Sequence, residues 1–181
     1  MRNTIINRRF KYTDVNATSI LIIINVVVFI LQNIFTDLPY ILSMVPVYIR
    51  LKHWYWQFFT YMFSHVDFWH LFSNMLGLFI FGRIVERSVG SREFLLYYLL
   101  TGTLAGITSY FLYLYSGSIF TVVLGASGAL YAIMLLFSVL FPNAVVYVFG
   151  IIPMRAPILV ILYFFIDFFT FLFKEILSLF C

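Results

Sequence analysis

Ser127 lies in the tetrad Gly125-Ala126-Ser127-Gly128, inside a run from Phe94 to Met154 that contains no Asp, Glu, Lys or Arg. The chemistry open to such a residue is nucleophilic attack, although a serine hydroxyl is a poor nucleophile until a base takes its proton. Tyr131 follows it by four residues, and upstream His70 and Asn74 are also four apart. On a helix that spacing puts each pair on one face, so two polar pairs can meet across a helix interface. Taken alone, neither pair demands chemistry. Serine is common in packing seams, where it bonds a backbone carbonyl, and that is the simpler reading of Ser127 by itself. His70 by itself fits an inter-helix hydrogen bond equally well. Asp67 and Asp167 are further polar candidates, Asp167 reading more simply as a structural partner for backbone or hydroxyl groups. His53 and His65 fall near the interface as solvated or packing residues, and the many Phe and Tyr side chains read as lipid-facing or interfacial.

The elements that must carry these residues are set by composition. Of the 181 residues 64% are hydrophobic and only 10% charged, with a mean hydropathy of +1.03, far from the balance of a soluble domain. The chain therefore reads as an all-α polytopic bundle in a lipid bilayer. An apolar helix needs about 20 residues to cross the hydrocarbon core, and five stretches qualify: Ala17 to Phe35, Phe68 to Gly82, Phe94 to Tyr115, Ile119 to Leu140 and Ala156 to Phe173. The second is short and is entered through the aromatic-rich segment 51–68, which reads as interfacial or partly re-entrant. Counting inward from Ile119 as a helix puts Ser127 about eight residues, or roughly 12 Å, below the surface. Gly102 and Gly106 form a small-xxx-small pair on the third span, and the small residues around Ser127 narrow one side of the fourth. The stretches are too many and too long for a signal peptide, and no linker or repeat divides the chain, so one membrane domain (17–181) is expected after a basic tail (1–16). Cys181 is the single cysteine, which excludes an internal disulfide. The basic residues flank apolar spans rather than clustering with aromatics, which argues against a nucleic-acid partner.

Basic residues also set orientation. Arg2, Arg8, Arg9 and Lys11 precede the first span, Arg83, Arg87 and Arg92 follow the second, and Arg155 follows the fourth, whereas the 115–118 connection has none. This puts the N-terminus in the cytoplasm, with Arg50 and Lys52 as the exception on the outer side. The location expected is the bacterial plasma membrane.

Segments 55–91 and 125–133 together resemble the rhomboid family of intramembrane serine proteases. The resemblance rests on an ordered set: His70-x-x-x-Asn74, then Gly82-Arg83 and Glu86, then Gly125-x-Ser127-Gly128, then Tyr131. It extends from about residue 17 to about residue 173. It implies proteolysis of transmembrane substrates near the outer membrane face by a Ser–His dyad in a water-accessible cavity, without a cofactor or metal. By the same resemblance Ser127 would be the nucleophile, His70, Asn74 and the Ser127 backbone N–H would form the oxyanion hole, and Tyr131 would pack on the catalytic histidine. His65 matches a further family histidine of structural or solvating role. Trp56-Gln57 stands where many members carry Trp-Arg in the first loop.

One departure governs the mechanism. The family's general-base histidine lies on a sixth core helix, in an Ala-His-x-x-Gly-like element, and no histidine follows His70 here. Neither His65 nor His70 is expected to substitute, because both already match other positions of the pattern. The expectation is five spans of a six-span core, from an endopeptidase whose recorded sequence is truncated. The alternative is a catalytically inactive rhomboid-like protein that binds membrane clients. A channel or transporter component is disfavoured, since no charged pore stripe or inverted repeat is visible.

Overall fold

The computed structural model describes residues 15–148, 151–163 and 165, and its contacts divide the chain into two units, Met1–Ile133 and Met134–Cys181. The first unit is helical: α1 (Ala17–Ile34), α2 (Leu38–Leu42), α3 (Pro46–Lys52), α4 (Gln57–Thr60) with a 3-10 turn at Tyr61–Phe63, α5 (Phe68–Gly77), a π-helical segment at Leu78–Gly82, α6 (Arg83–Val89), α7 (Ser91–Tyr115) and the start of α8 (Ser127–Leu140). Asp167, Cys181 and residues 1–14 of the basic tail lie outside the described residues.

Helix α1 holds no charged residue, and its N-cap Asn16 makes no side-chain cap bond. The cap comes instead from α6. One oxygen of the Glu86 carboxylate accepts from the Ala17 N–H at 2.6 Å and the Ser91 hydroxyl at 2.6 Å. The other accepts from the Thr18 N–H at 3.0 Å and the Thr18 hydroxyl at 2.6 Å. A carboxylate at a helix N-terminus satisfies orphan N–H groups and complements the helix dipole, so this residue ties α1 to the α6–α7 corner. At that corner Gly90 adopts φ 99°, a conformation open to glycine at little cost.

The span boundaries differ from the sequence reading in instructive ways. The second span runs Phe68–Val89 and the third Ser91–Tyr115; with Ala17–Ile34 these are the three helices, among the described residues, long and apolar enough to cross a membrane. The fourth begins at Ser127, not Ile119. Residues before it are non-helical, with a turn at 119–120 and an isolated bridge at Val123: Met44 and Val123 exchange two backbone hydrogen bonds of 2.9 Å, and Val47 N–H donates to the Ile119 carbonyl at 3.0 Å. Gly125 then takes φ 111°, which no right-handed helix contains. The depth obtained by counting helical rise from Ile119 therefore does not hold, and Ser127 opens its helix. Asp67, expected among interior polar groups, is an exposed N-cap of α5 whose carboxylate accepts from the His70 N–H at 2.8 Å.

Large apolar side chains such as Ile23, Ile30, Leu96, Leu104 and Phe111 face outward, as a lipid-facing surface requires. Not every aromatic does. Tyr61, Phe94 and Tyr98 are buried, a correction to the reading of tyrosines and phenylalanines as peripheral. The glycine pair on α7 marks a close approach: a Cβ at Gly106 would lie 2.6 Å from the Tyr61 ring and 3.0 Å from the Phe58 carbonyl oxygen, and one at Gly102 would lie 2.8 Å from the Met62 methyl and 3.2 Å from Ala129. Gly106→Leu should accordingly lower the thermal stability of the detergent-solubilised protein by about 1–3 kcal/mol, the usual range for overpacking. Phe111→Leu, at a ring 62% exposed, should cost under about 0.5 kcal/mol. Equal losses would contradict the seam.

In the second unit the later part of α8 is followed by a hairpin, β1 (Val145–Val148) pairing antiparallel with β2 (Ile152–Arg155), in register Val145 with Arg155 and Val148 with Ile152. Residues 156–163 are helical, and the rest of the fifth span lies largely outside the described residues. The hairpin is an addition to the helical bundle that hydropathy did not signal.

Candidate active site

His70 is the third residue of α5, placed there by the Asp67 cap, and Ser127 is the first of α8. The two helix starts meet through a glycine. A Cβ at Gly125 would lie 2.7 Å from both Cε1 and Nε2 of His70, so only a residue without a side chain lets the imidazole edge rest on the turn two residues before Ser127. Asn74, one helical turn beyond His70, is buried. Its amide Nδ2 donates to the His70 carbonyl at 2.8 Å, using one of its two N–H donors, while its Oδ1 is buried without a hydrogen-bond partner. Tyr131 lies one turn after Ser127 on α8, and Ser127, His70 and Tyr131 are all half-buried. His70 and the glycine two residues before Ser127, far apart in sequence, are thus brought together.

Sequence reasoning missed the residue that holds this turn. The Tyr61 carbonyl accepts from the Gly125 N–H at 3.0 Å, and its phenol donates to the Gly102 carbonyl of α7 at 2.7 Å. The same oxygen would lie 3.3 Å from a Cβ at Gly128. One tyrosine therefore holds the backbone ahead of Ser127, packs close to Gly128 after it and fills the α7 seam. Burial pushes its phenol up to about 12, so it remains a neutral donor. Its only sequence signal was a tyrosine in an aromatic-rich lead, which hydropathy cannot rank. Gln57 is a second such anchor: fully buried, it accepts from Val45 N–H at 3.1 Å and donates to the Tyr40 and Ile41 carbonyls at 2.9 and 3.3 Å. The first loop is thus tied down through Gln57.

His65 is 3% exposed. Its N–H donates to the Gln32 side chain at 3.2 Å, and its ring meets the His70 ring edge-on, centroids 5.1 Å apart. Burial first, and the His70 ring second, push its imidazole down to about 4, against weaker opposing contributions from the Phe63 backbone and Asp67. The unfolded chain would bind a proton there below about 6.5, and the folded chain resists to about 4, so stability present at neutral pH is lost as pH falls through that window. Between pH 7 and pH 5 the loss should reach about 2 kcal/mol. Thermal unfolding followed across this range should show the decline in the wild type and a flatter profile in His65→Asn; matching profiles would contradict it. His53 is exposed, its Nδ1 2.9 Å from the Tyr55 hydroxyl, in keeping with an interfacial position.

The rhomboid domain model matches residues 52–180. This chain belongs to the rhomboid family. Among curated proteins the rhomboid chain is 39% identical over 114 residues to RHOMBOID-like protein 12, mitochondrial, of Arabidopsis thaliana, covering 55% of this chain and 34% of that protein. It is 30% identical over 115 residues to Rhomboid protease GlpG of Klebsiella pneumoniae, covering 63% and 40% respectively, and 38% identical over 88 residues to Rhomboid protein 1, mitochondrial, of Saccharomyces cerevisiae, covering 48% and 25%. Matches thus span two-fifths or less of the length of these relatives. Membership together with the outward apolar faces makes this rhomboid an integral membrane protein.

Proposed function

We propose that this chain provides the nucleophile and oxyanion-binding half of an intramembrane serine endopeptidase that cuts transmembrane substrates near the outer membrane face. The observation that carries the reading is the seating of His70 against Gly125, which sets an imidazole beside the turn that presents Ser127. In the proposed reaction the Ser127 hydroxyl attacks the scissile carbonyl, and the charge that develops on the carbonyl oxygen is met by His70, the second N–H of Asn74 and the Ser127 backbone N–H. The start of α8 suits that last role, because the first N–H groups of a helix have no intrahelical partner and the dipole favours negative charge. Donors fixed before charge develops in a site of low dielectric are worth most. Tyr131, one turn on, is assigned to pack against the base. Residues 71–181 contain no histidine, so the reading requires a general base from outside them. The proposed setting is the bacterial plasma membrane, with the Arg83–Arg92 end in the cytoplasm.

The test joins these residues to a sixth helix bearing the Ala-His-x-x-Gly-like element of an active rhomboid. The joined protein should cleave a single-span substrate in liposomes, and Ser127→Ala should abolish cleavage. In intact bacterial cells, cysteines placed at Ser116 and Ser88 report orientation: the first should react with an impermeant thiol reagent and the second should not, and the reverse would overturn the outward-facing site. If the joined protein is folded but binds its substrate without cutting it, the second reading, an inactive client-binding rhomboid, replaces the first.

A further inference from the structure

The corner where α1 begins and α6 turns into α7 carries positive charge beside two cavities. One, of about 500 Å³, is lined by Asn16, Arg83, Glu86 and Arg87. The other, of about 240 Å³, runs along Val15, Ala17, Ile20 and Leu95 and also touches Ser91 and Arg92. Both border the node at which Glu86 binds Ala17 and Ser91. Glu86 keeps its negative charge in the wall of the larger cavity, but both its oxygens are held by the Ala17 and Thr18 N–H groups and the Thr18 and Ser91 hydroxyls, and two arginines line that cavity against this one carboxylate. Arg83 and Arg87 are four apart on α6 and share a face. The Arg83 guanidinium lies 5.5 Å from the Phe79 ring centroid, an aromatic contact that leaves its hydrogen-bond donors for another partner. Among the described residues Glu93, exposed on the first turn of α7, is the other carboxylate of this corner, and it lines neither cavity. Because the spans Phe68–Val89 and Ser91–Tyr115 meet here, the corner falls at the level of lipid headgroups.

We propose that this corner binds an anionic phospholipid, its phosphate between Arg83 and Arg87 in the larger cavity and an acyl chain along the Val15–Ile20–Leu95 groove beside Arg92. Basic pockets between membrane helices recognise anionic headgroups in this way, and the forked guanidinium matches phosphate geometry. The neighbouring apolar groove selects a lipid over a free anion, which has nothing to place there. The site is separate from Ser127 and does not depend on the protease reading.

The experiment uses the 181-residue protein in nanodiscs of phosphatidylcholine alone and of phosphatidylcholine mixed with phosphatidylglycerol. Lipid retained on release is read by native mass spectrometry, and the thermal midpoint is followed in parallel. Phosphatidylglycerol should be retained preferentially and should raise the midpoint. Arg83→Gln/Arg87→Gln should reduce the preference by roughly tenfold, and Arg87→Gln alone, at an exposed position, should reduce it part-way, which keeps the test decisive if the double variant unfolds. Arg50→Gln, an exposed arginine on α3, should leave it unchanged. The proposal is overturned if the two lipids are retained equally, if Arg87→Gln has no effect, or if Arg50→Gln has the same effect. It is equally overturned if inorganic phosphate alone raises the midpoint as far as the anionic lipid.

Discussion

In the protein joined to a sixth helix carrying the base histidine, His70→Ala and Asn74→Ala should each lower turnover by roughly 10²- to 10³-fold, the usual cost of losing one oxyanion donor. The loss should fall on kcat and kcat/KM alike with KM little changed, because these donors are asked to act on charge present only in the transition state. The two substitutions should differ in their structural side effects. His70→Ala empties the space against which Gly125 is packed, whereas Asn74→Ala removes an amide that already bonds the His70 carbonyl at 2.8 Å. Thermal midpoints of both variants separate loss of fold from loss of chemistry. A rise in KM with kcat unchanged would make the pair substrate-binding groups and remove them from the oxyanion site.

The largest stability effect is expected at Glu86. Glu86→Ala should destabilise the detergent-solubilised protein by at least about 3 kcal/mol, because buried donors left unmet cost about 1–3 kcal/mol each. Two of its four donors are hydroxyls that can rotate to other acceptors. The other two, the Ala17 and Thr18 N–H groups, are fixed by the first turn of α1 and have no such freedom. Glu86→Gln keeps one acceptor oxygen and should lose roughly half as much. Denaturant or thermal unfolding of the three proteins checks the order, and a loss under about 1 kcal/mol for Glu86→Ala would show that α1 does not depend on this cap.

The parts of this molecule that were legible in its sequence are those governed by regular spacing. The pairs His70 with Asn74 and Ser127 with Tyr131 each fall on one helix, and the Gly102–Gly106 seam is where close packing occurs. The beginning of α8 was misread for a physical reason. An apolar stretch rich in β-branched residues, 119–124, satisfies a hydropathy window whether or not it is helical, and only the backbone bonds to Met44 and Val47 decide. Gly125 carried a signal, since a glycine just before a helix start often marks a backbone that a side chain would forbid. Asp67 carried one too, because an aspartate immediately before an apolar helical run reads as an N-cap. Tyr61 and Tyr98 carried none, and Gln57 stood out only as a departure from the resembled pattern: their burial depends on which segments pack together, a tertiary outcome invisible to composition. Likewise Glu86 was legible as a motif residue but not as the cap of a helix that begins 69 residues earlier.

Labelling Ser127 with a fluorophosphonate, located by peptide mass spectrometry, is the most direct test of the proposed nucleophile. In the protein joined to a histidine-bearing sixth helix, the label should appear on Ser127 and be lost in a variant whose added histidine is replaced by alanine. The 181 residues alone should label little, since a serine without a base reacts poorly. If instead the 181 residues label at Ser127 as fast as the joined protein, a histidine already present serves as base and the assignment of His70 to the oxyanion fails. If the joined, folded protein carries no label at Ser127, the serine is not the nucleophile.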